Sequence, residues 1–192
     1  MFKPMPATGP VTLTTNLADS ALVKALKSGE VKSDLVTFDY KGTPTANQGF
    51  KPMVREGKFD AGELAIVTFL QAKCHGKPLT LLPATMVGRW QHGCINYDCR
   101  NGDITPKQIE GKRVGVRAYS QTTGVWVRGI LGDEYGVDIK KVKWATYEEP
   151  HVAEYKDPAF LEKFDLAGKR SEEHTSELQS HHDLVCRLLL EK

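Results

Sequence analysis

The stretch Gly111–Val137, GKRVGVRAYSQTTGVWVRGILGDEYGV, reads as a strand, a tight turn and a helix, with polar residues filling the turn. In Arg113–Ala118 basic and apolar residues alternate, with Val114 and Val116 on one side, the period of a strand packed on one face. Tyr119–Thr123 breaks that pattern with hydroxyls and an amide. From Gly124 the residues Val125, Trp126, Gly129, Ile130, Leu131 and Tyr135 recur at helical spacing, and Gly136 stands where a helix stop is expected. Trp126 is expected in the core. The helix N-cap is expected at Ser120, Thr122 or Thr123. Hydroxyls there satisfy the unpaired N–H groups of a helix start. The same N–H groups, with the positive end of the helix dipole, also form a socket for a carboxylate or phosphate. Both uses stay open from spacing alone.

Working outward, Val11–Leu17 reads as a first strand and Asp19–Gly29 as a capped amphipathic helix ending in glycine. Leu35–Tyr40 is a second strand. Phe50–Phe59 is a short helix, with Pro52 tolerated in its first turn. Asp60–Leu64 leads into a third strand, and Ala65–Cys74 is a helix stopped by Gly76 and Pro78. Leu79–Leu82 is expected as a fourth strand and Gly93–Tyr97 as a fifth. Thr105–Ile109, led by Thr-Pro, opens another short helix. Strands alternating with helices predict an α/β architecture with mostly parallel pairing.

In such sheets ligands sit beyond the carboxyl ends of the strands. That rule selects Asp39 and Tyr40, Gly62 and Glu63, Pro83–Arg89 and Tyr119–Thr123. Arg89 is a natural carboxylate partner because its planar fork binds two oxygens at once; a solvated surface arginine is the alternative. His92 is either a proton donor or a histidine hydrogen-bonded within its own segment. Glu63 either caps the helix Ala65–Cys74 or faces a ligand.

The chain has 192 residues with a formal net charge of +2. No basic run interleaved with aromatics makes a case for nucleic acid, and a small anionic ligand is partner enough for a mildly basic chain. No apolar run approaches the length of a membrane span. Met1–Pro10 has no hydrophobic stretch and is not a secretory signal, so the chain as written is expected in the cytoplasm. Cys74, Cys94 and Cys99 are expected as free thiols. His92, Cys94 and Cys99 match no usual zinc spacing, so neither metal nor cofactor is implied.

The run GKRVGVRAYSQTTGVWVRGILGDEYGVD, preceded by GRWQHGCINYD and followed by TYEEPHVAEYKDP, resembles the 4,5-dihydroxyphthalate decarboxylase family. The resemblance runs with interruptions from about Val11 to about Asp157. It implies the two-lobed fold of type II periplasmic solute-binding proteins: a first lobe at 1–92, a crossover at 93–104 and a partial second lobe at 105–169. It also implies a cleft between lobes, lined by Tyr40, Arg89, Tyr119, Ser120, Gln121, Thr122 and Thr123, holding a small carboxylate such as an aromatic dicarboxylate. Decarboxylation needs a proton delivered to the ring carbon that loses carbon dioxide. His92, Glu63 or Tyr119 could supply it, with Arg89 and the 120–123 turn as anion clamp. Where decarboxylase-like sequences commonly carry Arg-His-Ser, this chain has Gln91, His92 and Gly93. The alternative within the superfamily is a periplasmic substrate-binding protein that serves a transporter permease and does no chemistry.

Arg170–Ser180, RSEEHTSELQS, with HHDLVCRLLLEK after it, reads as a common sequencing adapter translated in frame. Arg170–Lys192 is therefore expected to be an artefact and excluded from the fold. Removing it takes away three basic and five acidic residues and moves the net charge from +2 to +4. The remaining chain is expected to stop partway into the second lobe, as a truncated, non-functional fragment.

Overall fold

The computed structural model describes residues 9–43, 45–97 and 102–163. They fall into two compact units: residues 9–88 with His151–Glu154, and Arg89–Pro150 with residues 155–163. Each carries a parallel three-stranded sheet among its described residues, so the chain is mixed α/β with parallel pairing.

In the first unit the β-branched run VTLTTN forms β1 (Val11–Asn16), the central strand. It pairs with β2 (Val36–Tyr40) from Val11↔Val36 to Thr15↔Tyr40, and with the two-residue β3 (Ala61–Gly62) at Thr15↔Ala61 and Asn16↔Gly62. Parallel neighbours need crossovers. α1 (Ala21–Lys27) supplies the first, and a 3-10 turn (Ala46–Gly49) running into α2 (Phe50–Glu56) supplies the second. Pro52 lies in the first turn of α2 as expected, and Gly57 ends that helix at φ 63°. α3 (Ile66–Cys74) follows. Val23, Phe50, Met53, Val54, Ala72 and Val152 are buried.

The expected fourth strand is absent: residues 79–82 are irregular, with Leu81 57 % and Leu82 69 % exposed. Backbone bonds there are local, from Leu79 N–H to the Lys77 carbonyl and from Ala84 N–H to the Leu82 carbonyl. An apolar run is no strand without a neighbour to pair with. Of the expected fifth strand, Gly93–Tyr97, a single bridge residue, Ile95, is extended and paired, while Gly93 and Cys94 belong to a 3-10 turn, Gln91–Cys94, closed by Ile95 N–H donating to the His92 carbonyl. That turn directs Cys94 into the core, where it is 5 % exposed.

In the second unit β4 (Arg113–Val116) pairs with β5 (Lys143–Thr146) from Arg113↔Lys143 to Val116↔Thr146, and β5 pairs with β6 (Glu162–Lys163). β5 and β6 carry no pattern that the sequence reading picked out. Val114, Val116, Val127, Leu131, Val137, Val142 and Trp144 form one apolar cluster with Cys94 and Ile109. Trp144 donates its indole N–H to the Ile139 carbonyl at 2.9 Å, which satisfies its polar edge inside that core.

α4 (Thr122–Asp133) links β4 to β5. Its N-cap is Gln121, not Ser120, Thr122 or Thr123, and no side chain caps it. Gln121 is extended, at φ −66° and ψ 139°, and its carbonyl accepts from Val125 N–H to open the helix. The threonines therefore occupy the first helical turn. The buried face is Thr123, Gly124, Val127, Arg128 and Leu131, so Trp126 falls on the other side and is 54 % exposed, contrary to expectation. Gly124 sets this phase. A Cβ there would stand 2.9 Å from Val116 Cγ2, so only glycine lets the helix lie this close to β4.

Candidate functional site

The polar turn lies at the carboxyl end of β4, the edge where parallel sheets bind ligands. Gln121 N–H donates to the Ala118 carbonyl and closes the turn. Tyr147 and Glu148 N–H both donate to the Arg117 carbonyl, at 3.3 and 2.8 Å, carrying the β4–β5 pairing to the mouth of the turn. Arg117 Nε lies 3.1 Å from Glu148 Oε2, an ion pair beside it.

Ser120, Gln121 and Thr123 are each 5 % exposed or less. Buried hydroxyls and amides normally need partners, and one is Arg89: its Nη2 donates to Thr123 Oγ1 at 3.4 Å. The geometry thus brings together Arg89, Ser120, Gln121, Thr122 and Thr123 at the first turn of α4. Tyr119 is held from the other side. Its carbonyl accepts from Arg128 Nη2 at 2.7 Å, and its ring lies 3.7 Å from Arg128 Cζ. The ring also meets Trp144 and Phe160 edge-on, at 6.2 and 5.7 Å between centroids. Burial, then the negative charge of Asp157, pushes the Tyr155 hydroxyl above its usual value, against the opposing field of Arg128.

His92 is placed elsewhere. It is exposed in the 3-10 turn, with its ring edge-on to Tyr135 at 6.2 Å. Tyr135 lies just past the last residue of α4, and a helix of 12 residues at about 1.5 Å each puts that end roughly 18 Å from Thr122. The segment from Arg89 to His92 therefore runs along α4 rather than gathering at its start.

In the first unit Glu63 does not cap α3. Ala65 is the N-cap residue without a side-chain cap bond, and Glu63 Oε1 instead accepts from Ala18 N–H at 2.8 Å, tying down the loop after β1. Tyr40 ends β2, tilted against Phe38, with Lys27 Nζ 5.5 Å from its ring centroid. Asn16 is the residue that sequence reasoning missed here. It is fully buried; Nδ2 donates to the Ala46 carbonyl and Oδ1 accepts from Thr43 N–H. A Cβ at Gly42, Gly49 or Gly62 would collide with it, and no local pattern joins residues so far apart in the sequence.

Cys74 and Cys94 are free, while Cys99 and the stretch 170–192 lie outside the described residues. Among the described residues no group of three or more His, Cys, Asp or Glu gathers as metal ligands, and no helix is long and apolar enough to cross a membrane.

Fold and turn together define a parallel α/β chain with a polar, cation-flanked helix start. No protein-family profile matches it. In sequence it is similar to the 4,5-dihydroxyphthalate decarboxylase of Comamonas testosteroni, 29 % identical over 113 residues that make up 58 % of this chain and 32 % of that relative. It is also similar to the enzyme of the same name from Pseudomonas putida, 25 % identical over 142 residues, 72 % of this chain and 55 % of the relative. The family-level resemblance read from the sequence thus stands, and the matches span about a third and about half of these curated relatives.

Proposed function

We propose that the chain binds a small carboxylate, of the aromatic dicarboxylate class, at the turn Tyr119–Thr123 with Arg89 as its cation. The type II solute-binding-protein architecture belongs to the same proposal. The observation that carries it is the burial of Ser120, Gln121 and Thr123 at an α-helix start where no side chain serves as cap. Converging N–H groups and the helix dipole favour an anion there, and Arg89 beside Thr123 adds a charge-assisted donor. The names of the relatives suggest the ligand: 4,5-dihydroxyphthalate carries two adjacent ring carboxylates. Calorimetric titration of the folded chain with a phthalate series tests this. Heat with at least one member is expected, and Thr123→Val should weaken binding by about 1.5–3 kcal/mol, the range for a lost bond to a charged group. A folded chain that gives no heat with any member sinks the proposal.

A second reading, binding without chemistry as in a transport receptor, is favoured by the position of His92 at the far end of α4. In the decarboxylase reading, His92 or Glu63 delivers the proton, and replacing either suppresses turnover more than binding. Carbon dioxide released from 4,5-dihydroxyphthalate selects the enzyme; binding without release selects the receptor.

A further inference from the structure

Arg128 is a buried cation, 7 % exposed, on the inner face of α4. Helical side chains lean toward the N-terminus and over the residue one turn earlier. For Arg128 that residue is Gly124, where a Cβ would stand 3.4 Å from Nη1. The missing side chain leaves the lane that the guanidinium follows toward the helix start. There Nη2 donates to the Tyr119 carbonyl at 2.7 Å while Cζ lies 3.7 Å from the Tyr119 ring centroid. One planar group therefore holds both the backbone and the ring of the residue that opens the turn. It also brings a positive charge toward the positive end of the helix dipole, and the two together favour an anion at the turn.

We propose that Arg128 is the positioning residue of this turn: through Tyr119 it fixes the turn in the conformation that receives a carboxylate. The inference rests on the carboxylate-binding reading of the same turn. Lysine cannot take over the role, because an ammonium has no planar face to lie on the ring and carries its charge on a single flexible stem.

The test compares four forms of the 192-residue chain by calorimetric titration with phthalate: wild type, Arg128→Lys, Tyr119→Leu and the double variant. Arg128→Lys is expected to weaken phthalate binding tenfold or more when Tyr119 is present and by a clearly smaller factor in the Tyr119→Leu background, where the ring contact is already gone and only the bond to the residue 119 carbonyl remains to be lost. Equal weakening in both backgrounds, or none in either, overturns the proposal. Melting curves report whether the lysine variant folds; should it not, Arg128→Gln, an uncharged planar donor, takes its place with the same two-background criterion. The ring carbon resonances of Tyr119, followed without ligand, separate the two claims. If the wild-type chain gives no heat but Arg128→Lys shifts the Tyr119 resonances, the ligand reading fails and the clamp stands. If those resonances do not move, the clamp is overturned whatever the titration shows.

Discussion

Gly124 and Gly129 sit on the same helix under opposite steric demands. A Cβ at Gly124 meets Val116 Cγ2 at 2.9 Å, inside the packed face of β4, whereas a Cβ at Gly129 meets nothing within 4 Å. Alanine is the better helix former by about 1 kcal/mol. Gly129→Ala should therefore stabilise the second unit by about 0.5–1 kcal/mol. Gly124→Ala must push α4 off the sheet or displace Val116, and overpacking of that kind costs about 1–3 kcal/mol, enough to reverse the sign. Urea unfolding midpoints decide the pair; equal shifts for both substitutions would mean that α4 does not lie on β4 as described. The same close approach explains why Trp126 was misplaced from the sequence. Apolar spacing gives the period of a helix, but a glycine packed against a valine chose its phase. Arg128 went unnoticed for a related reason, since an arginine within a helical pattern reads as solvent-facing until a glycine one turn earlier is seen to make room for it.

Among the elements, the 3-10 turn Pro106–Ile109 is joined to the segment after α4 by one carboxylate. Glu110 accepts from Lys107 Nζ at 2.6 Å and from Asp138 N–H at 2.7 Å, with Lys141 Nζ 3.9 Å away. The Lys107 hydrogen bond first, then the Asp138 N–H, hold its pKa below the ordinary 4.5. Glu154 is lowered in the same direction, chiefly by Lys77. Because the folded value lies below the unfolded one, the unfolded chain binds more protons near pH 4. The contribution is complete above about pH 4.5 and is lost as pH falls toward the folded value. Melting temperature should drop between pH 6 and pH 3.5, and Glu110→Gln should flatten part of that slope; an unchanged slope would contradict the assignment. Elements with their own punctuation were legible: β1, α1, β2, α2, α3 and the β4–turn–α4 unit all stand near their expected bounds. Leu79–Leu82 was not, because pairing rather than composition makes a strand. β5 and β6 were not, because KWAT and the pair Glu162–Lys163 are too short to show a period, and their neighbours in the sheet define them.

At the scale of the whole molecule, two parallel sheets of three described strands each are connected by a chain that contributes twice to each unit. His151–Glu154 belongs to the first unit although the residues on either side belong to the second. His151 secures that segment: Nδ1 lies 2.8 Å from Thr68 Oγ1, its carbonyl accepts from Arg55 Nε, and its ring meets Phe50 edge-on. Such a return is hidden from a linear reading, since TYEEPHVAEYKDP carries a turn signal but nothing that says which unit it joins. The α/β class and the strand-end location of the polar turn were legible, because alternation and switch-point logic need only local patterns. The partners of that turn were legible in part, Arg89 from its chemistry but not Arg128. The central claim is that a carboxylate binds at the start of α4, and an amide-resolved NMR titration of the chain with phthalate and 4,5-dihydroxyphthalate tests it most directly. Saturable shifts concentrated on the amides of Tyr119–Gly124 and on the Arg89 side chain are predicted; shifts confined to other segments, or none at all from a folded chain, would contradict the claim.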